Sequence, residues 1–148
     1  MYWLLFATFA QATEPTYQHV RTAADCVLEA RQKDSDTGAA LRATCTWADV
    51  DPHTLGEMVR TYDEYTEWLW PLKACRVVRE EESRTLVYQL QKIAPLAERE
   101  VLLWMTQTHD GPSTHVAWSA ANEEPLVSRS GAVRTPINSG SWSIQPDP

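Results

Sequence analysis

Glycine is scarce in this chain of 148 residues: there are five, and none falls in a spacing that could cradle a phosphate. A nucleotide or dinucleotide loop needs several glycines at fixed intervals, so that class of site is excluded. Also absent are the G-x-S-x-G elbow of serine hydrolases, the H-E-x-x-H of zinc proteases and an acidic calcium loop. The histidines, His19, His53, His109 and His115, include no i, i+4 pair. The cysteines, Cys26, Cys45 and Cys75, include no C-x-x-C. No metal site, redox dithiol or other cofactor site is expected from these spacings. Basic residues are in deficit, with 13 Lys and Arg against 20 Asp and Glu, and the net charge of -7 repels nucleic acid and strongly anionic surfaces. No apolar run approaches the roughly 20 residues that span a bilayer as a helix.

The one short apolar run is MYWLLFATFAQA, residues 1–12. It ends in Ala10-Gln11-Ala12, the small-x-small pattern at which signal peptidase seats an extended chain. No Lys or Arg precedes the run and no Cys follows it as a lipid anchor. The reading is a signal peptide over 1–12, a mature chain of 13–148 forming one domain, and a periplasmic or secreted location. Export is where a disulfide persists. Cys26 and Cys45 flank the turn-rich Asp34-Ser35-Asp36-Thr37-Gly38 symmetrically, so a hairpin there brings them close. A bridge and a pair of small buried thiols both remain open, with Cys75 left over.

What the chain has in quantity is large aromatics: seven Trp and five Tyr against two Phe. Such side chains build cores, and Trp and Tyr also suit the wall of an apolar cavity with a few polar handles.

After a polar lead-in from Glu14 to Ala24, helix or extended, two alternating segments read as a strand hairpin: Cys26 to Arg31 and Leu41 to Trp47. Asp51-Pro52 then supplies an N-cap and a proline at the first helical position. Leu55, Met58, Val59 and Tyr62 follow at helical spacing, which predicts a helix from Pro52 to about Tyr65. From Lys73 the period becomes strand-like, over Arg76–Val78, Thr85–Ile93, Val101–Thr108, His115–Ala120, Val127–Arg134 and Ser141–Gln145. His109-Asp110-Gly111-Pro112 and Asn138-Ser139-Gly140 read as turns. The expected fold is α+β: one antiparallel sheet with a single helix inserted after its second strand.

Three segments carry a resemblance, covering most of Cys26 to Pro146. DPHTLGEMVRTYDEYTEWLWPL places Tyr62, Asp63, Trp68 and Pro71. VYQLQKIAPLAEREVLLWM has a strand, a proline and the pair Arg99-Glu100. GAVRTPINSGSWSIQP places Gly131, Val133, Arg134, Gly140, Trp142 and Pro146. In this order and spacing they resemble the START and START-like (SRPBCC, helix-grip) lipid-binding family, with Glu100 where the family has Asp. The resemblance implies a helix-grip fold, a curved antiparallel sheet gripping a long final helix. No helix of that length follows in this sequence, so the chain is expected to be incomplete at its C-terminus, with the sheet's apolar face exposed.

The resemblance also implies a non-catalytic carrier, monomeric when complete, that binds one lipid, sterol, fatty acid or isoprenoid and touches a membrane transiently. The residues assigned to the cavity are Tyr88, Leu90, Arg99, Trp104, His115, Trp118 and Arg134. Arg99 is expected either to face the cavity and pair with Glu81 or Glu82, or to lie at the surface beside Glu98 or Glu100. Trp68 and Trp70 are expected to plug one end of the sheet and Trp142 to be structural. The alternative is a polyketide cyclase or aromatase-like enzyme of the same fold, whose acid–base set would have to come from Arg99, Tyr88 and His115.

Overall fold

The computed structural model describes residues 16–32, 39–126, 128, 131–136 and 138–146. The 1–12 segment read as a signal peptide and the 34–38 segment read as a turn lie outside the described residues. The chain divides into two compact units, Met1–Ala48 and Asp49–Pro148.

In the first unit the lead-in is a strand. β1 (Gln18–Ala23), β2 (Cys26–Arg31) and β3 (Ala40–Cys45) form an antiparallel sheet in that order. The predicted hairpin is β2 with β3, and its register sets Cys26 directly opposite Cys45. The two are joined by a disulfide, with Cα atoms 4.0 Å apart.

The second unit opens as its sequence prescribes. Asp51 has extended backbone and accepts from the N–H groups of His53 (3.3 Å) and Thr54 (3.1 Å), and Pro52 begins α1 (Pro52–Arg60). The helix does not run on to Tyr65. Thr61 leaves helical geometry, and the chain continues as a 3-10 turn (Tyr62–Glu64) and a short α2 (Tyr65–Trp68). The break turns both Tyr62 and Tyr65 into the core. It also lets Asp63 accept from the N–H of Val77, beside a bulge in the next strand. Periodicity shows which residues want burial; it does not register a tertiary cap of this kind.

The strands are β4 (Leu72–Glu80), β5 (Thr85–Gln91), β6 (Arg99–Asp110), β7 (Ser113–Ala120), β8 (Val133–Arg134) and β9 (Ser139–Ile144). β4-β5-β6-β7-β9 are antiparallel neighbours in that order. Two expectations need correction. Among the described residues of the segment read as a strand over Val127–Arg134, only Val133 and Arg134 form a strand, β8, which pairs parallel with β6 at Arg99 and Glu100. Its two residues return along the sheet instead of forming a hairpin. Ser139 and Gly140 belong to β9, not to a turn.

Alternation along these strands gives the sheet two apolar faces. One carries Val87, Val101, Leu103, Met105 and Val116 and packs against Val59, Tyr62 and Tyr65 of the helical segment. The other carries Leu86, Tyr88, Leu90, Leu102 and Trp104, packed with Ala121, Leu126 and Ala132. Helix α1 crosses the helical face closely because Gly56 meets Thr114: a Cβ there would lie 2.7 Å from the Thr114 hydroxyl.

Candidate functional site

On the helical face, the sheet continues beyond the reach of α1 as an open groove of about 200 Å3. Gln89 and Gln91 come from β5, Leu103 and Met105 from β6, Trp118 from β7, Asn138 and Trp142 from β9 and its approach, and Tyr65 and Leu69 from the helical segment. Among these lining residues there is no Asp, Glu, Lys, Arg or His. The lining is aromatic and apolar, with three amides.

The aromatic wall is held in place. Trp118 donates its indole N–H to the Asn138 side-chain oxygen at 3.0 Å. Gly140 is its cross-strand partner. A Cβ on Gly140 would lie 2.5 Å from the Trp118 ring, so only glycine lets the indole lie across β9. Trp118 and Trp142 then stand with ring centroids 5.9 Å apart, and Trp142, Trp68 and Tyr65 continue the row at 6.1 and 4.8 Å. Offset and edge contacts at such distances are favourable for aromatic pairs.

Beneath the groove the polar groups are neutral. The Tyr65 hydroxyl donates to the Val59 carbonyl at 2.5 Å, and burial raises its phenol well above the usual range. Tyr62 is raised for the same reason, opposed in part by the 2.5 Å hydrogen bond from the Gln107 amide. Cys75, across the ladder from Gln89, has its thiol pushed up to about 11, chiefly by burial. The Gln89 hydrogen bond acts the other way. A thiol this reluctant to ionise is a core group and not a nucleophile.

Of the seven residues assigned from sequence, Trp118 lines the groove. Tyr88, Leu90 and Trp104 share the opposite face, where Arg76 lies over the Tyr88 ring and Arg84 over the Trp104 ring. Trp104 also donates to Glu123 at 2.7 Å. His115 is exposed and contacts the Ser143 hydroxyl across the β7–β9 ladder at 2.8 Å. Arg134 donates to the carbonyls of Ala121 and Glu124, clamping the turn after β7. Arg99 is exposed at the first position of β6, opposite Gln91. The carboxyl taken inside is that of its neighbour Glu100, fully buried on the other face with the Tyr88 hydroxyl donating to it at 3.2 Å. Glu81 pairs with Arg79 and Arg84, and Glu98 with Lys73 and Lys92.

Trp142, read as structural, is part of the groove wall. Trp68 and Trp70 were expected to plug one end of the sheet together; Trp68 is partly buried against the core, whereas Trp70 is 79 % exposed. Gln89 and Gln91 were missed; their signal was a pair of amides at alternate positions in an otherwise apolar strand.

No protein-family model matches the chain, and no curated protein matches it. Solved structures do. A STAR-related lipid transfer protein from Xanthomonas axonopodis superposes with a TM-score of 0.76 at 18% identity, over 88% of this chain and 74% of that one. Human STARD10 superposes with a TM-score of 0.66 at 15% identity, over 80% of this chain and 49% of that one. The chain has a START-like fold. It is the fold implied by the resemblance that Tyr62, Asp63, Trp68, Arg134, Gly140 and Trp142 carry, and two of these, Gly140 and Trp142, shape the groove directly. In this START-like fold Arg134 has a plain mechanical task, holding β8 and the turn after β7 together.

Proposed function

We propose that this START-like chain binds a hydrophobic ligand in the groove and carries it, without catalysing a reaction. The observation that carries this reading is the groove's lining: a pre-set row of aromatic rings, apolar strand residues and three amides, with no charged side chain among the described lining residues. Ligand pockets have this make-up, mainly apolar with a few polar groups to orient the guest. One of the solved structures that share the fold, that from Xanthomonas axonopodis, bears the name of a lipid transfer protein, which supports the same class of ligand. The cyclase-like alternative is disfavoured because its acid–base candidates do not converge. Tyr88 is bound to Glu100 on the far face, His115 is tied to Ser143, and Arg99 stands in solvent.

Transfer requires contact with a membrane. At the end of the sheet where β4 begins and β5 ends, the Lys92 N–H donates to the Pro71 carbonyl at 3.1 Å, joining two loops. These loops carry Trp70, Ile93 and Leu96, all exposed. An indole beside aliphatic tips suits the headgroup region of a bilayer. We also propose export to the periplasm or beyond, supported by the 1–12 segment and the Cys26–Cys45 disulfide.

The test is native mass spectrometry of the purified chain, followed by a transfer assay between donor and acceptor vesicles. A co-purifying lipid and transfer above the protein-free rate are expected. A protein that carries no lipid and accepts none from vesicles overturns the reading.

A further inference from the structure

We propose that the chain has a second ligand site, separate from the groove, which takes up a small divalent oxyanion such as sulfate or phosphate together with a proton. The site is an open cavity of about 300 Å3 between α1 and the β6–β7 hairpin. Its polar walls are Asp51, His53 and Arg60 from α1 and His109 and Thr114 from the hairpin, none of which lines the groove. Strand β6 runs 12 residues from Arg99, beside the loop that carries Ile93 and Leu96, to this hairpin. The cavity therefore lies roughly 35 Å along the strand from those exposed tips.

Arg60 ends α1 with its side chain folded back toward the cavity. Its Nε donates to the Gly56 carbonyl at 3.3 Å, and one terminal nitrogen pairs with Glu57. The other terminal nitrogen meets Nε2 of His109 at 3.0 Å. A guanidinium has donors only, so His109 is the acceptor in this contact and its ring is neutral. The ring hydrogen is then on Nδ1, which faces the buried Thr114 hydroxyl at 3.5 Å. An imidazole nitrogen is a poor acceptor for a guanidinium beside an oxyanion, which makes charge-assisted and often paired hydrogen bonds with it.

Charge sets the condition for binding. Among the described residues, the titratable groups around the cavity are Asp51, His53, Glu57 and Arg60 on α1 and His109 and Asp110 at the end of β6. On β7, Thr114 faces the cavity, whereas His115 is on the opposite face and contacts Ser143. Strand β9, which also packs against α1, has no titratable side chain over Ser139–Ile144. Asp51 is committed to the helix start, accepting from the His53 and Thr54 N–H groups and the Thr54 hydroxyl. Glu57 matches Arg60, with the His53 ring 3.8 Å from the same carboxylate. While both imidazoles are neutral, Glu57 offsets the guanidinium, and a net charge of -7 on the chain repels an anion. Histidine is the side chain that ordinarily gains its charge between pH 5 and 8. A proton on the Nε2 of His109 takes the lone pair that Arg60 uses and sets two cations side by side. An oxyanion between them replaces the lost contact with two charge-assisted hydrogen bonds, so proton and anion bind together.

The experiment follows the ring protons of His109 in the full chain by NMR from about pH 8 to about pH 5, in sodium sulfate and in sodium chloride of equal ionic strength. Sulfate keeps its charge over this range, so any pH dependence belongs to the protein. It should raise the titration midpoint of His109 by about half a pH unit or more, a roughly threefold preference for the charged ring. It should also raise the melting temperature at the acid end and not at the alkaline end. Arg60→Gln should abolish both effects. His109→Gln, whose amide can still accept from Arg60, should lose the melting effect, and it decides the matter if Arg60→Gln does not fold. Equal midpoints in the two salts would mean that the charged imidazole only swings into solvent, which overturns the proposal. Sulfate stabilisation that is equal at both ends of the pH range, or that survives in His109→Gln, overturns it too. Phosphatidylcholine vesicles containing phosphatidic acid separate a lipid phosphate from a free ion: binding to them in acid, lost in Arg60→Gln, with no response to sulfate overturns the free-ion site.

Discussion

Trp118 owes its position to two neighbours, Gly140 beneath its ring and Asn138 at its indole nitrogen. Gly140→Ala should push the indole off β9, at a cost of roughly 1–3 kcal/mol for overpacking. Trp118→Ala should keep the fold but remove one of the three aromatic rings that line the groove. Because the ring is only partly buried, its loss should cost less than the ~3–5 kcal/mol of a fully buried tryptophan. Thermal melts and probe titrations of both variants check this. Both should weaken binding, Gly140→Ala with the milder change in contact area. Unchanged binding in both would mean that the ring does not form the wall. Strand parity made Trp104 and Trp118 equal candidates in the sequence. They differ only in what lies above them: Arg84 and the turn after β7 cover Trp104, while the groove opens beside Trp118.

Among the elements, α1 is the one whose start was most legible. Asp51 accepts from two backbone N–H groups and from the Thr54 hydroxyl at 3.0 Å. That hydroxyl first, then the Thr54 and His53 amides, hold its carboxyl below the ordinary aspartate value. A carboxylate depressed in the folded state adds stability that is fully present above its unfolded pKa, about 3.9, and is lost as the pH falls through the lower folded value. Asp51→Ala should therefore melt below the parent at neutral pH. The gap should close as the pH is taken from about 4 toward 2. A gap that persists undiminished in acid would show that the cap works by something other than its charge. The end of α1 was not legible, because Thr61 breaks the helix to seat Tyr62 and Tyr65 and to aim Asp63 at Val77, a residue 14 positions on. Nor was β8, whose two ladder residues pair with a strand more than 30 positions earlier.

For the whole molecule, the first unit has a three-stranded sheet stapled by one disulfide across a separation of 19 residues. A cross-link closing a loop of about that length is worth roughly 3 kcal/mol through the unfolded chain. Replacing both Cys26 and Cys45 with alanine in the full chain should speed hydrogen exchange at the β2 and β3 amides while leaving β5 and β6 protected. Uniformly faster exchange would mean that the staple governs the whole chain. If the chain is exported as proposed, N-terminal sequencing of the exported form should begin at Thr13, and an intact Met1 would refute cleavage after Ala12.

The amino-acid order by itself determined the α+β class, the cap and first turns of α1, the strand ladder from β4 to β7 and, through Tyr62, Asp63, Arg134, Gly140 and Trp142, the resemblance to the START-like fold. These are local matters: a period of two or of 3.6, a capping oxygen, a proline. Only the tertiary structure decided which of the sheet's two apolar faces stays open. It put Tyr88, Leu90 and Trp104 under the turn after β7, and it put Gln89, Gln91, Trp118 and Trp142 around the groove. Alternation along a strand assigns neighbours to opposite faces, but both faces here are apolar. Which one is covered depends on segments that return from far along the chain.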